Sequence, residues 1–401
     1  MPAFDFETLW DRHGRDALAV DNIGGPGFAP AAPEDGYDAI PMWVADMNFA
    51  TAPSVTAALK ARIEHPLYGY FMPSDAYYGA VIRWQAVRNG VQGLEPKHIG
   101  YENGVLGCVA SALAAFTKPG DAVLLHSPTY VGFSHTLHDT ARRAELSPLV
   151  RDETGVWRMD FADMDCRIRE NHIRLVIFCS PHNPCGRVWE RWELERAAEV
   201  FRANDCIVVS DEIWSDILPG AAKHIPLQSV SEDMKKRTIA VYAPSKTFNL
   251  AGLVGSYHIV YSDHLRHELR SVSGATHYNG MNVLSMHALI GAYSDEGQAW
   301  TDKLCSVLAE NIRTFCDALD AVCPEAVYMR PKGTYMLFVN VRDYCECRGL
   351  TQRDVLCAGW RVGLCWQDGT DFNDPWAIRI NLASPLSVIQ KAAERLPLVF
   401  S

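Results

Sequence analysis

The chain has 401 residues, of which 48% are hydrophobic, enough to bury one large core and a smaller one. Its 37 basic and 48 acidic residues leave a net charge of −11, which argues against a nucleic-acid footprint, and no apolar run reaches the roughly 18–20 residues of a membrane span. No secretory signal is visible at the start, and the 12 cysteines include no Cys-x-x-Cys pair, so a cytoplasmic protein with reduced thiols and no metal centre is expected.

In chain order, residues 1–45 read as a polar, Gly- and Pro-containing arm that ends in a Trp43 segment. Apolar strands then alternate with helical stretches as far as residue 290. The strands are Ala122-Val123-Leu124-Leu125, Leu175-Val176-Ile177-Phe178, Ile207-Val208-Val209 and Ile239-Ala240-Val241-Tyr242. That rhythm predicts an α/β fold with a mostly parallel sheet and helices on both faces, over residues 46–290. A long helical pattern from Gly297 to Cys323 leads into a smaller α/β domain, residues 291–401, with strands predicted at 335–341 and 378–380.

Four residues at or near strand ends carry the candidate chemistry. Asn183 lies in the turn Pro181-His182-Asn183-Pro184-Cys185-Gly186 after the second strand, where its amide can donate to a ligand oxygen or simply serve the turn. Asp211 ends the β-branched run Ile207-Val208-Val209-Ser210. It can hold a ligand cation, or it can cap the next helix. Lys246 follows the fourth strand in Ala243-Pro244-Ser245-Lys246-Thr247, next to a small hydroxyl residue. Such an amine, once desolvated, loses its proton more readily and condenses with an aldehyde, although most Ser-Lys pairs are solvated surface residues. Arg379, inside the apolar strand Ile378-Arg379-Ile380, needs an anion. A substrate carboxylate suits its planar fork, and a structural ion pair is the alternative. Read together, the four suggest pyridoxal 5′-phosphate: Lys246 as its Schiff-base lysine, Asp211 keeping the pyridine nitrogen protonated, Asn183 on the phenolic oxygen.

The run of motifs resembles the fold-type I pyridoxal-phosphate enzymes of the aspartate aminotransferase superfamily. Within these it is most similar to the cystathionine β-lyase (MalY/PatB) branch of carbon–sulfur lyases. The segments carrying the branch resemblance are Pro41-Met42-Trp43-Val44-Ala45-Asp46-Met47, Tyr68-Gly69-Tyr70, Pro181–Trp189 and Ser245–Leu253. The resemblance implies that Tyr130 stacks on the cofactor ring. It implies that the turn Asn103-Gly104-Val105-Leu106-Gly107 holds the phosphate on backbone N–H groups, aided by Ser245. Tyr70 would reach the phosphate, and contact substrate, in a neighbouring subunit, giving a homodimer with shared active sites. Ala45 would lie over the substrate carboxylate opposite Arg379.

The chain departs from the superfamily pattern at several positions. Val254 stands where aminotransferases carry a phosphate-binding arginine, and Ala243 where they often carry serine. Trp214 replaces a tyrosine or histidine that would sit near the phenolic oxygen. An indole N–H can donate but cannot ionise, so cofactor tuning or substrate shape would differ. Asn48 replaces an aspartate usual in the branch.

The expected activity is α,β-elimination on a small amino acid bearing a thioether or thiol at Cβ, yielding pyruvate, ammonia and a thiol. An aminotransferase is the second expectation, because the same residues can return the Cα proton to the cofactor instead. A regulatory, non-catalytic binder is a third; the fused regulators of this fold carry an extra DNA-binding domain, for which the first 40 or so residues leave little room.

Overall fold

The computed structural model describes residues 4–277 and 279–400. Met1, Pro2 and Ala3 of the predicted arm lie outside the described residues, as do Tyr278 and Ser401. Seven strands form the central sheet: β1 (Ile99–Glu102), β2 (Ala122–Ser127), β3 (Arg143–Pro148), β4 (Leu175–Cys179), β5 (Ile207–Asp211), β6 (Thr238–Tyr242) and β7 (Ser256–Ile259). Their spatial order is β1-β7-β6-β5-β4-β2-β3. The run from β6 to β3 is parallel throughout, and β7 is antiparallel to both of its neighbours. Every residue of β4 and of β6 is buried, as expected for strands covered on both faces.

The chain passes from β2 outward to β3, then returns to the other side of β2 for β4, β5 and β6. Strand order therefore reverses between β2 and β4, and ligands of open α/β sheets bind outside the carboxyl ends at such a point. Pairing of Cys179 with Asp211 and of Asp211 with Val241 brings the ends of β4, β5 and β6 level there. Two helices start on the same side: α1 (Val105–Phe116) after Gly104, and α2 (Val131–Asp139) after Tyr130.

A smaller antiparallel sheet contains β8 (Val327–Tyr328), β9 (Met336–Asn340), β10 (Gln367–Asp368) and β11 (Ala377–Asn381), in the order β8-β9-β11-β10. The long helix α3 (Asp295–Val322) joins the two halves. Its Trp300, Leu304 and Leu308 pack with Phe6, Met47 and Trp84. Its Ile312, Phe315 and Leu319 pack with Leu337, Ile378 and Ile380. The end of the arm joins the smaller sheet's core, since Ile40–Pro41 pairs in parallel with Leu364–Cys365 and both Ile40 and Met42 are buried there.

All four predicted strands of the large sheet are present, as are the two of the small sheet, and α3 starts two residues before its predicted Gly297. Strands β1, β3 and β7 of the large sheet and β8 and β10 of the small one are additional. Arg143–Pro148 alternates poorly and is half exposed, so it lacks the apolar run that identified the others.

Candidate active site

Lys246, Asp211, Asn183, Tyr130, Ser245, Trp214 and Ala45 line one cavity of about 260 Å³ with the Gly104–Leu106 turn. Arg379 does not border it. It lines an adjoining chamber of about 450 Å³, which shares Ala45, Leu106, Tyr130 and Lys246 with the first. Tyr70, at 111% relative exposure, borders neither cavity of its own chain.

At the junction of the two spaces, the Lys246 Nζ donates to the Ala45 carbonyl at 2.8 Å and lies 5.7 Å over the Trp214 ring. Part of the residue remains open to the cavity, but its amine is enclosed by protein. That enclosure, followed by the positive charge of Arg379, lowers its pKa from 10.5 to about 8. Asp211, at the end of β5, accepts from the Ile213 N–H at 3.1 Å and forms no ion pair among the described residues. Burial is the main reason its carboxyl is pushed up to about 7. A buried carboxylate without a cation calls for one, and a protonated ring nitrogen would supply both charge and donor.

The remaining walls suit an aromatic phosphate ester. Gly104 has φ of 81° and leads into α1 without any side-chain cap, so the first N–H groups of that helix are available to an anion. A Cβ on Gly132 would come within 2.5 Å of the Tyr130 ring and 2.9 Å of Leu106, so the small residue is what lets Tyr130 keep its place in the cavity wall. Val254, another lining residue, has φ of 46°, a left-handed conformation that is strained for a β-branched side chain. Pyridoxal phosphate fits these walls: Asp211 for the ring nitrogen, Tyr130 for the ring face, and the α1 N-terminus with Ser245 for the phosphate.

Arg379 is 3% exposed and its guanidinium is fixed on three acceptors. The Nη1 donates to Asn183 Oδ1 at 3.3 Å, and Nη2 donates to the Trp43 carbonyl at 2.9 Å and to Gln367 Oε1 at 2.5 Å. Its centre lies 4.3 Å from the Phe372 ring centroid. No carboxylate pairs with it among the described residues, and its Nε is buried without a hydrogen-bond partner. The structural ion pair considered for this arginine is therefore missing, and a ligand carboxylate would satisfy the orphaned donor.

Several supporting residues had no signal in the sequence. The Tyr335 hydroxyl donates to the same Ala45 carbonyl as Lys246, at 3.0 Å, and its ring meets Trp214 edge-on at 4.8 Å. Asn381 Nδ2 donates to the carbonyls of Val44 and Asp46 at 2.6 Å each, and so anchors the Ala45 segment from β11. Gln367 sits beside Arg379 in register on the small sheet. Each is a polar residue in a strand or next to one; only its partners distinguish it from an ordinary buried amide or phenol.

Comparison with known proteins agrees with this geometry. Residues 44–396 match the family model for aminotransferase class I and II. The cystathionine β-lyase PatB of Bacillus subtilis is 33% identical over 367 residues, covering 91% of this chain and 93% of PatB. Among solved structures, cystalysin from Treponema denticola, which contains pyridoxal 5′-phosphate, superimposes with a TM-score of 0.90 at 28% identity, over 99% of this chain and 98% of that one. The PLP-bound C-S lyase from Staphylococcus hominis gives a TM-score of 0.88 at 27% identity, over 100% and 98%.

Proposed function

The chain belongs to the aminotransferase class I and II family, and on that premise we propose that it is a pyridoxal-phosphate-dependent carbon–sulfur β-lyase. Its substrates are cystathionine or related cysteine S-conjugates, and its products are pyruvate, ammonia and a thiol. The observation that carries this reading is the pairing of an enclosed lysine amine with an arginine that lacks a counter-ion, on either side of one passage.

Each step has a residue to perform it. Lys246 would hold the cofactor through its aldehyde, a task suited to an amine already shifted toward neutrality. Asp211, Tyr130, Ser245 and the turn Gly104, Val105, Leu106 would hold the cofactor, with Asn183 and Trp214 in the wall of the same cavity. Arg379 receives the substrate α-carboxylate and fixes which Cα bond faces the lysine. Bound pyridoxal phosphate supplies an electron-withdrawing ring that stabilises negative charge at Cα. The Lys246 amine would accept the Cα proton at Nζ. Such a positioned base contributes about 10²–10⁴-fold. The Cβ–S bond then breaks with its electron pair leaving on sulfur, and water completes the conversion of the remaining carbon skeleton to pyruvate and ammonia. The Ala45 carbonyl, with Tyr335 on its other side, holds the lysine ammonium until the proton is passed on.

A homodimer with shared sites is part of the proposal. Leu67, Tyr68, Tyr70 and Met72 all stand exposed on one irregular stretch, and Tyr70 is free to enter a neighbour's cavity. No described helix is long and apolar enough to cross a membrane, and we place the enzyme in the cytoplasm. Incubation of the holoenzyme with cystathionine and no keto acid tests the reaction: pyruvate and a free thiol in equal amounts are expected. Turnover that depends on an added keto acid, with transfer of the amino group, would identify an aminotransferase instead.

A further inference from the structure

The Gly104–Leu106 turn leans on a buried carboxylate that the proposed reaction does not use. Glu102 ends β1 and is closed off from solvent. Its Oε1 accepts from His258 Nδ1 on β7 at 2.7 Å. A Cβ on Gly100, the strand partner of His258, would fall 2.2 Å from the imidazole Nε2, so the ring reaches Glu102 over a residue that has no side chain. The other oxygen, Oε2, accepts from Asn279 Nδ2 at 2.7 Å. Asn279 stands just beyond the helix Asp263–Thr276, and the same Nδ2 also donates to Ser273 Oγ on that helix at 2.9 Å. Asn279 Oδ1 in turn accepts the Asn103 N–H at 2.9 Å. A carboxylate only accepts and a peptide N–H only donates, so an amide fits between them in one orientation. The main chain of Glu102 takes part as well, its carbonyl accepting the Gly104 N–H at 3.0 Å and the Ser256 hydroxyl at 2.8 Å.

We propose that Asn279 is a positioning residue for the cofactor phosphate, itself held in place by Glu102. The proposal rests on the reading of the Gly104–Leu106 turn as the phosphate site. Backbone N–H groups bind an anion tightly when their directions are fixed beforehand, because a turn that must first be ordered pays that entropy on binding. Only Asn103 and Gly104 connect β1 to α1, and Gly104 is the permissive residue of the two, with φ of 81°. The bond from Asn103 to Asn279 fixes the peptide ahead of that glycine, and Glu102 fixes Asn279. Glu102 therefore acts twice on the link, through its carbonyl on the Gly104 N–H and through its carboxylate by way of Asn279. Neither Asn279 nor Glu102 borders the cavity, so both act through the turn and not on the ligand itself.

The test titrates the full-length apoprotein by fluorescence with pyridoxal 5′-phosphate and, separately, with pyridoxal, which lacks the phosphate. In Asn279→Ala, affinity for the phosphate ester should drop about tenfold while that for pyridoxal stays within about twofold of wild type. Asn279→Asp sets one carboxylate against another and should lose at least as much. Adding Glu102→Gln to it reverses the polarity of the contact. The new amide can donate to the new carboxylate and still accept from His258, and the carboxylate can still accept the Asn103 N–H. The double variant should therefore recover the preference for the ester to within about threefold of wild type. Equal losses for the two ligands in Asn279→Ala, the pattern of a residue that only supports the fold, overturn the proposal. So does the absence of any loss, or a double variant no better than Asn279→Asp alone. A wild type that binds pyridoxal as tightly as its phosphate fails at an earlier point: it removes the phosphate reading of the turn, and the proposal with it.

Discussion

The Lys246 amine lies in an enclosed site with an arginine for company, and both circumstances favour its neutral form. Attachment of pyridoxal phosphate to apoprotein should therefore accelerate as pH rises through about 8 and level off above it, where a solvated lysine would keep accelerating toward 10.5. Stopped-flow absorbance across a pH series measures the midpoint. In Arg379→Ala that midpoint should move upward, because a positive neighbour is gone. The same variant should raise the KM for amino-acid substrate by about 10- to 100-fold, the loss of a charge-assisted contact of about 1.5–3 kcal/mol. Asp211 titrates in the opposite sense. Its folded carboxyl holds a proton up to about 7, whereas the unfolded one releases it near 3.8, so between these values the folded apoprotein binds more protons and its stability falls as pH rises. Thermal melts of apoprotein should show that decline in wild type and a smaller one in Asp211→Asn. The same variant should lose cofactor on dialysis, having given up its charged contact.

The elements that build the site differ in how plainly the sequence announces them. Strands β4, β5 and β6 are short apolar runs that stop at polar residues, and a parallel sheet gathers such ends on one edge, so Asn183, Asp211 and Lys246 were legible together. Arg379 was legible because a lone charge in an apolar strand demands an anion. Tyr335, Gln367 and Asn381 were not. Their roles arise from the register of β9, β10 and β11 and, for Tyr335 and Asn381, from hydrogen bonds to a segment more than 280 residues away in the chain. The phosphate turn was read from its glycine, yet the strain beside it at Val254 was invisible in sequence. Asparagine tolerates that left-handed backbone, so Val254→Asn should raise the melting temperature of the apoprotein by about 1 °C, corresponding to about 1 kcal/mol of relieved strain in a chain of this length. Gly132→Ala should act in the other direction. With a methyl 2.5 Å from its ring, Tyr130 must leave its position, and cofactor affinity should drop while α2 itself loses nothing in helix propensity. Fluorescence titration of apoprotein with pyridoxal phosphate reads that change.

At the scale of the whole molecule, α3 contributes to the cores of both halves, and Met329, Phe338, Phe372 and Ala377 of the small half pack in one apolar cluster with Phe178 and Trp189 of the large one. The division we propose, 1–45, 46–290 and 291–401, leaves Lys246 and Asp211 on the large unit, Arg379 on the small one and Ala45 on the strand of arm between them. Hydrogen bonds from Arg379 to Asn183 and from Asn381 to the Ala45 segment hold the parts together across the site. One residue of the proposed site borders neither cavity of its own chain. Tyr70 is fully exposed among other apolar side chains, so the role we propose for it needs a second subunit, and that proposal can be tested without a structure of a dimer. Lys246→Ala and Tyr70→Ala should each be nearly inactive alone. Mixed, unfolded and refolded together at equal amounts, half of the dimers are hybrids. In a hybrid, one site combines the intact Lys246 of one subunit with the intact Tyr70 of the other, and the second site lacks both. Activity should therefore return to about a quarter of wild type, the statistical yield for two-fold dimers with composite sites. If each site were built from a single chain, neither mutant could repair the other, and the mixture would be no more active than the sum of its parts.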